Sequence, residues 1–287
     1  VSVRISVESL SGCAWNGCPS QRGIRMLASG SQVWGDLMQM QGDWEVLLNG
    51  DPQEIRQLCT WGHSINYFRL WGGVDDWNDC PNDDFRFNSN LFEGQTQEGV
   101  WQITYELLSL FNGASTLLER EPYKLSIYKI LLEGGELARQ EKRNIPGMLT
   151  KPAVSSQAWA DDLRKALGTS QKISLMMLAA EHEDIYLFLK FLDQDSSWIT
   201  YYKILDTLET WERRKGLKAF RSKRKEKKFT CSANNFSLNG FDARHGFQEM
   251  MQQPAQVSMT IDEGHQFITG LVKDYLQQAH PQFVKFR

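Results

Sequence analysis

SLMMLAAEHEDIYLFLKFL, residues Ser174–Leu192, reads as one largely apolar helix. The next stretch is amphipathic: Trp198, Tyr202, Leu205, Leu208 and Trp211 fall along one stripe, and Asp195 or Ser196 is placed to cap it. Further on, Thr260 with Glu263 fits a capping box ahead of a last helix. Its Phe267, Ile268, Leu271, Val272, Tyr275 and Leu276 make an apolar face. The second half of the chain is therefore predicted to be helical.

Reading back towards the amino terminus, the pattern changes. Asn144 to Gln157, with Pro146, Gly147 and Pro152, is the predicted linker. Tyr123 to Leu132 looks like a strand closed by Gly134-Gly135. Val100, Trp101, Tyr105, Leu107, Leu108 and Phe111 approximate a 3.6-residue period, which predicts a helix from Gln97 with Asn112-Gly113 as its stop. Val74 to Asn90 reads as an acidic, Asn-rich loop, and Ser64–Trp71 (SINYFRLW) as a strand that stops at Gly72-Gly73. Ser11 to Gly50 is broken by Gly and Pro and holds only short elements. Val1, Val3, Ile5 and Val7 share one face of a predicted strand.

No internal repeat is visible. The predicted class is α+β, a β-rich, Trp-rich N-terminal part with a mostly helical C-terminal part. The predicted organisation is an acidic mixed domain over residues 1–145, a linker over 146–157, and a helical domain over 158–287 that carries a basic segment at 212–228.

An apolar fraction of 41%, with ten Trp and fifteen Phe in 287 residues, is ample for a core and excludes a disordered tail. No apolar run approaches the roughly 20 residues of a membrane helix. Val1 to Glu8 alternates charge and apolarity where a signal peptide would be apolar. The cysteines, Cys13, Cys18, Cys59, Cys80 and Cys231, are odd in number and lack Cys-x-x-Cys pairs, which argues against a disulfide scaffold and a zinc site. These features predict a cytoplasmic protein with no membrane partner, no cofactor and no metal. They are compatible with a homo-oligomer.

Charge is unevenly divided. Residues 1–115 hold 14 acidic and 6 basic side chains, whereas the remainder holds 21 acidic and 26 basic. Ten of the basic groups crowd between Glu212 and Lys228 against two acids: Arg213, Arg214, Lys215, Lys218, Arg221, Lys223, Arg224, Lys225, Lys227 and Lys228. A positive potential of this density suits nucleic acid, since phosphate contacts supply most non-specific affinity, or an acidic protein. Phe220 and Phe229 are candidates for stacking on unpaired bases. The competing reading is a solvated loop, or neutralisation by the chain's own acidic half. Gly216 is expected to end the preceding helix.

The following segment brings Asp242, Arg244 and His245 within four residues, with Asn234 and Asn235 as supporting amides. In an enzyme on a phosphate-bearing substrate, His245 would be the acid or base, Asp242 its orienter and Arg244 the anion clamp. No spacing here matches an established catalytic motif, and the same residue types also serve turns.

Metal motifs are absent. His182 in Glu181-His-Glu-Asp184 has no second His at the i+4 spacing of a zinc helix, so a charged helix face is expected there. Asp75, Asp76, Asn78, Asp79, Asn82, Asp83 and Asp84 lack the sixth-position Gly and twelfth-position Glu of a calcium loop. No phosphate-binding glycine loop and no nucleophile elbow occurs.

Trp198-x-x-x-Tyr202-Lys203-Ile204, Ala233-Asn234, Gly240-x-Asp242-Ala243-Arg244-His245-Gly246, Met259 and Asp262-Glu263 together resemble a group of uncharacterised bacterial proteins, and Asn112-Gly113-Ala114 fits them too. The resemblance lies chiefly in residues 175–280. It implies a bacterial or phage-borne cytoplasmic protein and carries no activity. The first expectation is a non-enzymatic interaction protein that binds a polyanion through 212–228. An enzyme using Asp242, Arg244 and His245, and a subunit of a larger complex, are the alternatives.

Overall fold

The computed structural model describes residues 44–60, 65–75, 80–120, 122–132, 135–143, 154–218, 221–246 and 258–286. The predicted first strand, the Cys13 and Cys18 pair, Phe220 and most of the predicted linker lie outside the described residues.

Strands β1 (Trp44–Asn49), β2 (Arg69–Asp75), β3 (Cys80–Asn88), β4 (Ser126–Leu132) and β5 (Gly135–Glu136) form an antiparallel sheet in the order β2-β3-β1-β4-β5. Helix α1 (Pro52–Thr60) follows β1. Val46 sits at the sheet's centre, opposite Phe87 of β3 and Ile130 of β4, and all three are fully buried. Half of the segment expected to be an acidic loop is strand β3. Its Phe85 and Phe87 turn into the core, while Arg86 between them turns out to salt-bridge Asp84 and Glu45. That alternation is only three residues long and follows Asp83-Asp84, which hid it.

Gly72-Gly73 does not stop β2. The strand begins at Arg69 and passes through both glycines, with φ of 98° and 86° and a register shift between Gly72 and Val74. A Cβ on Gly72 would lie 2.0 Å from the Asp84 carbonyl oxygen, so only glycine permits the two strands to meet there.

Helix α2 (Gln97–Leu118) starts at Thr96, whose hydroxyl accepts from Gly99 N. It packs against the sheet on one side and the later helices on the other, so Glu106 through Leu117 are all buried. Phe111 stacks on Phe68, with centroids 5.7 Å apart. The predicted stop at Asn112-Gly113 is mid-helix. The Asn112 amide donates to Leu125 O (2.9 Å) and accepts from Leu125 N (2.8 Å), fixing the chain as it enters β4.

The helical part comprises α3 (Ser156–Thr169), α4 (Gln171–Ala179), α5 (Glu183–Leu192), α6 (Trp198–Lys215), α7 (Lys223–Asn234), α8 (Phe236–Asn239) and α9 (Ile261–Ala279). The single helix expected over Ser174–Leu192 is two, α4 and α5, because His182 adopts extended backbone (φ −127°, ψ 109°) as the N-cap of α5. The hydroxyl that caps α6 belongs to Ser197, accepting from Thr200 N, rather than to Asp195 or Ser196. Thr260 and Glu263 do form the capping box of α9, and its predicted apolar face is buried apart from the partly exposed Phe267. The architecture is α+β. Among the described residues, no helix is long and apolar enough to cross a membrane. Among the described residues, Cys59 and Cys231 form no disulfide.

Candidate functional site

Two features of the second half carry chemistry. The first is the basic segment. Helix α6 ends at Lys215 with Gly216 in the left-handed conformation (φ 63°), and α7 begins seven residues beyond. Two of the ten cations turn inward. Arg221 salt-bridges Glu209 (3.0 Å) and Glu212, and Lys215 bonds Asp184 (2.7 Å). Arg214 lies over the Trp211 ring, 5.0 Å from its centroid. Among the described residues, Arg213, Arg214, Lys218, Lys223, Arg224, Lys225, Lys227 and Lys228 form no ion pair, and all but Lys228 are exposed.

Among the described residues, no carboxylate of the acidic first part pairs with the segment. Its carboxylates that pair within the described residues do so with Arg56, Arg86, Lys129, Arg143, Lys172 and Lys190. On α7, Phe229 and Ala233 are fully buried, and 3.6 residues per turn puts Lys223, Arg224, Lys227 and Lys228 on the opposite arc. Phe229 is no stacking aromatic. Its ring packs among Trp198, Tyr202 and Phe267. Phe241 is the exposed aromatic nearby in sequence, at 97%.

Asp242, Arg244 and His245 lie just after this helix, on a turn that Arg244 N pins to Ala233 O (2.7 Å). Arg244 stacks over Tyr202, 3.6 Å from the ring centroid, and approaches His245 Nε2 at 3.4 Å. Asp242 is exposed and has no hydrogen-bonding partner among the described residues, so it does not orient His245. Asn235 is buried and precedes α8, and the buried Asn234 Oδ1 has no hydrogen-bonding partner among the described residues.

The second feature gave no signal in the sequence. Asp184, in the first turn of α5, is 2% exposed and collects three neighbours on one oxygen. Lys215 Nζ of α6 donates to Oδ2 at 2.7 Å, Tyr275 OH of α9 donates at 2.6 Å, and His280 Nε2 lies at 2.9 Å. The His182 and His280 rings pack with centroids 4.5 Å apart. Burial alone would raise the Asp184 pKa. Hydrogen bonding with His280, Lys215 and Tyr275 outweighs it and holds the carboxyl well below its usual range. Burial and then the Asp184 carboxylate push the Tyr275 phenol far up, so it stays a donor. His182, Asp184 and His280 each present one possible ligand atom, all within 4.8 Å of one another. His182 lies not on a charged helix face but at a helix start. Its partner His280 comes 96 residues after Asp184, where no local motif could reveal it.

Comparison with protein-family models, with curated proteins and with solved structures finds no match.

Burial is the main cause lowering the pKa of both His182 and His265, the latter bonded through Nδ1 to Tyr201 OH at 3.0 Å. In the unfolded chain an imidazole takes up its proton near pH ~6.5. The folded chain holds that proton less well, so the unfolded state binds more protons below this point and stability falls with pH. The midpoint of urea denaturation is expected to drop between pH 7 and pH 5, and a His182→Gln, His265→Gln double variant to flatten that dependence.

Proposed function

We propose that this protein binds a polyanion, with nucleic acid as the favoured class, through the exposed cations of residues 213–228. One observation carries the reading: four cations of α7, Lys223, Arg224, Lys227 and Lys228, line the arc facing away from buried Phe229 and form no ion pair among the described residues. Their placement is unfavourable for the helix itself. Lys223, Arg224 and Lys225 occupy the first turn, where the helix dipole favours anions, and Ser222 makes no side-chain cap bond. Local stability is given up for charge at a defined place, as at functional sites elsewhere. Phosphates laid along this arc would relieve the like-charge repulsion and the unfavourable dipole contact together. Phe241 supplies the exposed ring on which a base could stack.

Fluorescence anisotropy with labelled single-stranded RNA, single-stranded DNA and duplex DNA tests this at ~50 mM salt. Binding is expected to weaken about tenfold or more in a Lys223→Gln, Arg224→Gln, Lys227→Gln, Lys228→Gln variant, with a log–log salt slope shallower by roughly 0.7–0.9 for each phosphate no longer neutralised. Phe241→Ala is expected to weaken single strands more than duplex. No binding, or equal binding by the quadruple variant, would overturn the reading.

A further inference from the structure

We propose that His182, Asp184 and His280 form a site for a divalent transition metal of the zinc class, and that the Lys215 ammonium holds the cation position when no metal is bound. The ligand chemistry is right: two imidazoles and one carboxylate are a common protein set for zinc, leaving a fourth position open. Their ligand atoms lie within 4.8 Å of one another, and Asp184 Oδ2 is 2.9 Å from His280 Nε2. Donors bound at about 2.0–2.2 Å around a tetrahedral ion stand roughly 3.3–3.6 Å apart, so small shifts bring the set onto one centre.

The hydrogen bonding favours a cation between these groups. Lys215 Nζ lies 2.7 Å from Asp184 Oδ2 and 3.2 Å from His280 Nε2, and those two atoms are themselves 2.9 Å apart. His280 Nε2 cannot donate to Asp184 and accept from Lys215 at once. If it donates, its proton crowds the ammonium. If it accepts, two lone pairs converge on the ammonium as they would on a metal ion. The Nε2 of His182 is buried and has no hydrogen-bonding partner among the described residues, a polar atom left without the contact that burial normally requires. Tyr275 OH, donating to Asp184 at 2.6 Å, supplies the outer contact that orients a ligating carboxylate.

Lys215 is placed to leave. It is the last residue of α6, its side chain is 29% exposed, and left-handed Gly216 follows. Swinging outward exchanges its bond to Asp184 for water and puts its charge beside Arg213 and Arg214. The oxygen and ring nitrogens it leaves behind accept the ion.

Cobalt(II) and zinc titrations of the full chain test the proposal. Cobalt is followed by the visible absorption that marks four-coordinate Co(II), and zinc by calorimetry. One ion per chain is expected. Lys215→Met, which removes the resident cation, should bind about tenfold more tightly or better, and His182→Gln about tenfold more weakly or worse. His182 is a helix-start residue outside the hydrogen bonds to Asp184, so His182→Gln should keep the fold, checked by circular dichroism. No stoichiometric binding by either wild type or Lys215→Met overturns the site. Binding undiminished in His182→Gln does the same, and unchanged affinity in Lys215→Met overturns the exchange.

Discussion

Gly113→Ala is expected to destabilise the chain by about 3 kcal/mol or more, a large overpacking effect. In a helix interior, alanine is ordinarily the better residue by about 1 kcal/mol. Here a Cβ would stand 2.0 Å from the Leu189 carbonyl oxygen, 2.6 Å from its carbon and 2.9 Å from its Cα. These are backbone atoms of α5, so no rotamer change clears them; the helices must separate. Separation opens the contact between α2 and α5, where Leu110, Phe111, Ala114, Phe188 and Leu189 are all buried. Gly270→Ala is the matching control. That glycine is inside α9 with nothing among the described residues within 4 Å of where a methyl would stand, and its replacement should stabilise by up to about 1 kcal/mol. Urea denaturation of both variants measures the contrast. A Gly113→Ala protein as stable as wild type would mean that α2 and α5 do not approach this closely.

Asp184→Asn is expected to cost about 3 kcal/mol, the lower part of the range for removing one partner of a buried ion pair. The magnitude is held down by Lys215, whose side chain is 29% exposed and so can recover some hydration. Tyr275, nearly fully buried, has no such route, and an amide offers its hydroxyl a weaker acceptor. The contribution has a pH signature. Because the folded carboxyl titrates below the unfolded one, its stabilisation is complete above pH ~4 and is lost as pH falls through the lower, folded value. Wild type and Asp184→Asn should therefore differ most at neutral pH and converge in acid. A difference under about 1 kcal/mol at pH 7 would show that the three neighbours of Asp184 find other partners.

What the sequence revealed was whatever local chemistry determines. Thr260 and Glu263 cap α9 with each other, Gly216 ends α6, and the apolar period of α9 faces the core. Misreadings cluster where a local signal is used for a distant purpose. Asn112-Gly113 has the composition of a helix stop, but Asn112 clamps Leu125 and Gly113 admits Leu189. Gly72-Gly73 looks like a strand end and instead lets β2 run against β3. Phe229 sits in a run of cations, where its burial against Trp198 and Phe267 cannot be guessed from neighbours in sequence. The Asp184 cluster draws residues from α5, α6 and α9 and from the chain just past α9, so only tertiary structure assembles it.

The anchoring of Phe229 bears on how the basic segment would engage a ligand. An unstructured cationic tail loses its freedom at the moment of association, and that loss subtracts from affinity. In α7 the cost has already been met in folding, because one aromatic ring fastens the helix to the protein interior. The spacing of its charges is therefore fixed beforehand, and a rigid array can discriminate between anions of different geometry in a way that a floppy one cannot.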